Sequence, residues 1–174
     1  MSTETSKPFS IRIFMPEGQA DGLKIVEKSN WSGRGVVCPR ALLSTHRGRD
    51  EFARTGIYIL VGQSDAGRLP VLYIGQADPI RRRLGDHHAR KEFWNTAVFF
   101  VSKDENLNKA HVSHLESRLI RLAKEAKRCT LDNANEPTLP SMSEMDIADA
   151  EGFLEEMLLC LPVLGITHFA KPKS

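Results

Sequence analysis

Gly56-Ile57-Tyr58-Ile59-Leu60-Val61-Gly62 and Val71-Leu72-Tyr73-Ile74-Gly75 are the two stretches on which the reading of this chain turns. The first is β-branched, aromatic and apolar between two glycines, the composition of a buried strand. The second has the same character, and the polar, glycine-containing connector 63–70 is short enough to make the pair an antiparallel hairpin. Alternation puts Tyr58 and Leu60 on one face with Ile57 and Ile59 on the other, and sets Tyr73 opposite Leu72 and Ile74. Tyrosines on a hairpin are ordinarily packing residues, so their meaning depends on what surrounds them.

Outward from the hairpin toward the C-terminus, the pattern predicts a helix over 80–88, with Asp78 as N-cap and Pro79 in its first turn. A third strand follows at 96–102. A second helix over about 107–127 would be roughly 30 Å long at ~1.5 Å per residue. Its apolar or small residues Val112, Leu115, Leu119, Leu122, Ala123 and Ala126 recur at the spacing of a core-facing stripe. Glu116 falls inside that stripe, one turn from Val112 and Leu119. A carboxylate there is paired, protonated or bound to a cation. In the shorter helix Ile80, Arg83, Leu84 and His87 share one face, with Arg81, Arg82 and Asp86 turned away. Arg83 can serve as the ion-pair partner of Glu116, or the two can serve chemistry together. Phenols, a guanidinium, an imidazole and a carboxylate converging within one small unit can bind a divalent metal, hold a phosphodiester and manage protons.

The remainder of the chain frames this unit. Alternation in Phe9-Ser10-Ile11-Arg12-Ile13, then short extended pieces at 23–27 and 35–38 around the turn cluster Ser29-Asn30-Trp31-Ser32-Gly33, read as a small β meander. Arg40, Arg47, Arg49 and Arg54 surround an expected boundary and read as a solvated linker. An acidic helix over about 143–161 opens with a Ser141-x-x-Glu144 capping signature and ends at Pro162. Residues 141–160 hold six acids and no Lys or Arg, which leaves 24 bases against 16 acids on the rest of the chain. A basic body with one acidic helix suits a polyanionic ligand, and scattered surface cations explain it equally well. At 174 residues and 41% hydrophobic composition the chain can bury a real core, which excludes wholesale disorder. No apolar run approaches the roughly 18 residues that span a bilayer, and the polar N-terminus lacks a signal core, so a cytoplasmic protein that meets no membrane is expected. The three cysteines, Cys38, Cys129 and Cys160, fit neither a disulfide framework nor a zinc site.

The tripeptides Gly56-Ile57-Tyr58 and Tyr73-Ile74-Gly75 resemble the signature of the GIY-YIG endonuclease superfamily. Arg83, His87, Glu116 and an Asn in Leu131-Asp132-Asn133 follow in the family's order, so the resemblance spans about 54–136. It implies an α/β (α+β) fold with a small three-stranded antiparallel sheet flanked by helices. It also implies one Mg2+ or Mn2+ ion on Glu116 and no organic cofactor. By position, Tyr58 matches the proposed general base, assisted by His87. Tyr73 and Arg83 match phosphate-orienting groups, and Asn133 matches a structural Asn, with Asn135 competing for that role. Gln76 departs from the family, where many members carry Lys after the second tripeptide.

The expected organisation is therefore a β-rich N-terminal subdomain over 1–50, a nuclease core over 54–136, and an acidic helix and tail over 140–174. The expected activity is metal-dependent hydrolysis of DNA phosphodiester bonds, with Arg81, Arg82, Arg90 and Lys91 meeting flanking phosphates on the outward side of the first helix. The rival expectation is a catalytically silent module on the same scaffold, binding nucleic acid or, through the acidic helix, a protein. Oligomeric state is not written in the pattern.

Overall fold

A computed structural model of the chain describes residues 6–63, 69–134, 137–139 and 141–170. It contains strands β1 (Ile11–Phe14), β2 (Lys24–Lys28), β3 (Gly33–Pro39), β4 (Gly56–Gly62), β5 (Val71–Ala77), β6 (Trp94–Ser102) and β7 (Thr130–Leu131). The helices are α1 (Leu43–His46), α2 (Ile80–Arg90), α3 (Lys109–Ala126) and α4 (Glu144–Cys160). The strands form one seven-stranded sheet in the order β1-β2-β3-β6-β4-β5-β7. All neighbours are antiparallel except β5 and β7, which run parallel.

This corrects the expected fold at both ends of the sheet. The three-stranded expectation captured β4, β5 and β6 and treated the N-terminal meander as a separate subdomain. The run Ala97-Val98-Phe99-Phe100-Val101 in β6 is buried on both faces, as befits a central strand with a neighbour on each edge. One edge of β6 pairs with β4, and the other pairs with β3 from Gly33↔Ser102 to Pro39↔Thr96. The meander thus continues the same sheet. At the far side β7 adds Val71↔Thr130 and Leu72↔Leu131 to β5 and makes the sheet mixed.

Period-2 alternation then sorts two cores. Ile57, Ile59, Leu72, Ile74, Val98 and Phe100 face α3 and α4, meeting Val112, Leu115, Leu119, Leu154 and Met157. Tyr58, Leu60, Ala97, Phe99, Val101, Val36 and Cys38 face the opposite layer, where Leu43, Phe52, Ile80, Leu84 and Trp94 lie. So α2 and α3 lie on opposite faces of the sheet, a division that matters below.

The helix starts depart from expectation. Asp78 does not cap α2; Pro79 holds the N-cap position without a side-chain bond, and the Ile80 N–H donates to the Arg54 carbonyl at 3.0 Å. The cap of α4 is Ser143, whose hydroxyl accepts from the Asp146 N–H at 3.1 Å, not Ser141. In α3 the Asn108 side chain accepts from the His111 N–H, and His111 Nδ1 accepts from the Asn108 N–H. Arg40 and Arg54 are not a solvated linker either. Arg40 donates to the carbonyls of His88 and Lys91 at the end of α2 and of Trp94 at the start of β6. Arg54 donates to those of Ser102 and Lys103 at the end of β6. Among the described residues no helix is long and apolar enough to cross a membrane.

Candidate active site

β7 pairs with β5 only at Val71 and Leu72, and the chain beyond it continues the edge with a side chain. Asn133 Oδ1 accepts from the Ile74 N–H at 3.0 Å and its Nδ2 donates to the Ile74 carbonyl at 2.8 Å. Its carboxamide thereby copies one peptide unit of a neighbouring strand. Past Ile74, the edge of β5 opens into a cleft of about 410 Å³. Around this open edge α2 reaches from one face of the sheet and α3 from the other, which is how Arg83 and Glu116 come to line the same space.

Tyr58 reaches the cleft because it is paired with Gly75 across the β4–β5 ladder. A Cβ at position 75 would strike the Tyr58 hydroxyl, so the phenol lies over Gly75 only because that residue has no side chain. The Tyr58 hydroxyl is 2.7 Å from His87 Nε2. Tyr73 stacks on Tyr58 with ring centroids 6.2 Å apart and lies 4.9 Å from the His87 ring. Arg83 places its positive charge beside both phenols. It stays exposed to solvent while His87 is buried, so of the pair expected to point inward only His87 does so fully.

Electrostatics fixes the proton positions. Burial first, and then the charges of Arg83 and Lys91, push His87 down to about 4, so the ring is neutral at neutral pH. Burial, reinforced by Tyr73, holds the Tyr58 phenol well above its ordinary range, with Arg83 opposing. A protonated phenol beside a neutral ring can donate to His87 Nε2 in the tautomer that carries the ring's own proton on Nδ1. Glu116, half-buried, is raised by desolvation and lowered less by Arg83. Among the described residues it has no ion-pair partner, so the Arg83–Glu116 salt bridge that the sequence left open is not formed. Arg83 faces the two tyrosines instead.

The remaining expected contacts divide. Arg82 lines the cleft beside Arg83, although the helical face assigned it outward; Arg81 and Arg90 are exposed away from the cleft. Lys91 is engaged: its Nζ lies 2.6 Å from Asp132 Oδ2 and 4.5 Å from the centroid of the Tyr73 ring. Asn135, the competitor of Asn133, lies outside the described residues. Lys109, Gln76 and Asp78 also line the cleft. Sequence reasoning gave Lys109 no role. Its signal was its place two turns before Glu116 on the same helical face.

Elsewhere, His111, Asp146 and Asp149 bring one ligand atom each within 4.8 Å of one another. Because His111 Nδ1 accepts from the Asn108 N–H, the neutral ring carries its proton on Nε2, which faces Asp146 Oδ1 at 3.4 Å. A protonated nitrogen has no lone pair for a metal, and the group reads as a dock for α4 on α3. Glu151 likewise meets His114 and Arg118, and Glu156 meets Lys28 at 2.6 Å, so acids of α4 are spent inside the molecule.

No family model matches the chain, and neither a curated protein nor a solved structure matches it significantly.

Proposed function

We propose that this chain is a metal-dependent endonuclease that hydrolyses DNA phosphodiester bonds in this cleft, in the manner of the GIY-YIG proteins its tripeptides resemble. The observation that carries the reading is Glu116: a half-buried carboxylate without an ion-pair partner among the described residues, facing a guanidinium and two phenols across an open cleft. Mg2+ is commonly held by one or two carboxylates, with waters and substrate phosphates completing its octahedron, so Glu116 suffices as the protein's share for Mg2+ or Mn2+. Bound there, such an ion would supply Lewis-acid stabilisation of the phosphoryl and leaving oxygens.

The chain's own groups do the rest. Arg83 presents a planar fork to the phosphate and offsets the charge that builds on it; losing one such donor typically costs ~100 to 1,000-fold in rate. As water attacks phosphorus it gives its proton to the Tyr58 oxygen, and the phenol's proton moves to His87 Nε2 along the hydrogen bond already in place. The bond from phosphorus to the water oxygen forms, the bond to the leaving oxygen breaks, and the alkoxide takes a proton from solvent. A high phenol pKa makes Tyr58 a poor resting anion but a good conduit to a neutral imidazole. The same reading sets the protein in the cytoplasm, where the free thiols of Cys38, Cys129 and Cys160 stay reduced.

The test is incubation of the purified chain with Mg2+ or Mn2+ and single-stranded, duplex, flapped and branched DNA. Metal-dependent cleavage of at least one substrate is expected, and Glu116→Gln, which keeps size and removes charge, should abolish it while leaving the thermal melt in place. Full cleavage by that variant overturns the metal assignment, and no cleavage of any substrate by the unaltered chain overturns the activity.

A further inference from the structure

The cleft carries more positive charge than one phosphate needs, and one of these cations shares the α3 wall with Glu116. Arg82 and Arg83 stand on α2, and Lys109 stands on α3, all lining the same space as Glu116. Lys109 is exposed and, among the described residues, has no ion-pair partner. It occupies the first turn of α3, seven residues before Glu116, which brings the two onto one face about two turns apart. The separation along the axis is about 10 Å. That is too far for Lys109 to pair with Glu116, and it is about one Debye length at physiological salt, so neither charge neutralises the other. On the floor of the cleft the residue after the second tripeptide is Gln76, which offers no charge.

A nucleic-acid strand carries one phosphate per roughly 3.4 Å of duplex axis. A phosphate held beside Glu116 therefore has a neighbour two to three nucleotides away at the height of Lys109. Resting on the nuclease reading above, we propose that Lys109 is a positioning residue that grips the phosphate two to three nucleotides from the scissile bond, along the α3 side of the cleft. The substrate then has to be a polynucleotide extending at least that far on one side of the cut, and short dinucleotide or mononucleotide esters are excluded. Gripping a second phosphate fixes the register of the strand and leaves Arg83 free to follow the reacting one.

The experiment compares the full chain with Lys109→Gln and Lys109→Arg. Binding of an oligonucleotide duplex in EDTA, where no cutting occurs, is titrated at several salt concentrations, and cleavage in Mg2+ is resolved into kcat and KM. Lys109→Gln is expected to flatten the slope of log affinity on log salt by about 0.9 on duplex, one phosphate contact. Its loss in cleavage should fall on KM, and Lys109→Arg should restore the slope. A series of duplexes, each with one neutral methylphosphonate linkage, locates the contact. The unaltered chain should show a penalty two to three nucleotides from the cut that vanishes in Lys109→Gln. If Lys109→Gln keeps the original slope and the original linkage profile while the unaltered chain binds and cuts, the inference fails and the nuclease reading stands. If the unaltered chain neither binds nor cuts DNA, both fail.

Discussion

His87 is the residue whose chemistry is most altered by its surroundings. Its side chain is buried against both tyrosines, and Arg83 and Lys91 both oppose a third positive charge. The folded protein therefore takes up this proton only near pH 4, whereas an unfolded chain takes it up near 6.5. Below 6.5 the unfolded state binds more protons than the folded one, so this residue makes stability fall as pH drops from about 6.5 to about 4 and contributes no slope above that window. An NMR titration of the His87 ring should show no inflection near 6.5 and a late one near 4, and His87→Gln should reduce the acid loss of thermal stability in that interval. An ordinary midpoint would mean that the ring is solvated and not closed against the two tyrosines as described. Gly75 shows the same dependence on neighbours: its lack of a Cβ has no meaning in the sequence until β4 places Tyr58 across from it.

At the scale of elements, α2 carries Arg83 and His87, and its aim is set by a residue outside the hairpin and its helices. Arg40 hydrogen-bonds two carbonyls at the end of α2, those of His88 and Lys91, and the Trp94 carbonyl that opens β6, and lies 4.6 Å over the Trp94 ring. Hydrogen bonds from a charged donor contribute about 1.5–3 kcal/mol, and cations near a helix C-terminus are favoured by its dipole. Arg40→Ala is accordingly expected to cost about 2–3 kcal/mol of stability and to lower cleavage as α2 loosens, measured by chemical denaturation and by cutting rate below the melt. A variant with unchanged stability would mean those carbonyls are satisfied by water. The contrast with α3 shows what a sequence discloses. The stripe of Val112, Leu115 and Leu119 and the intrusion of Glu116 are properties of one helix with one period, legible without knowing any partner. So was the inward face of α2 at Ile80, Leu84 and His87. The roles of Arg40 and of Asn133 as a substitute peptide unit depend on contacts with other elements, some of them 48 to 59 residues away, and no local pattern encodes those. Arg82, exposed on α2, lines the cleft as well, because a cleft that wraps round the open edge of β5 is wider than one helical face.

Across the whole molecule the same distinction separates what was foreseen from what was not. The hairpin of β4 and β5 is a local pairing joined by a short connector, whereas β3 meets β6 across more than fifty residues of chain. The turn cluster that set off β2 and β3 as short extended pieces was silent on their neighbours, and the short lengths invited the reading of an appendage. The pairing instead predicts dependence of the unit from β4 to α3 on the first forty residues. Removing β1 to β3 would strip one edge of β6 of its hydrogen-bond partners and uncover Val98, Phe99 and Phe100 where Val37, Val36 and Gly35 had paired with them. The truncation also removes Leu23, Ile25, Val26 and Val36 from the core. Burial of each such side chain is worth about 1.5–3 kcal/mol, so their sum rivals the ~5–15 kcal/mol that holds an entire domain together. A bare apolar edge in the middle of a sheet is also a template for pairing with other chains. A chain starting at residue 40 is therefore expected to aggregate or to lack a cooperative melt, seen by gel filtration and by far-UV circular dichroism on heating. If it were monodisperse, melted cooperatively and kept metal-dependent cutting, β3 would be an accessory to the sheet and the first forty residues a separable element after all.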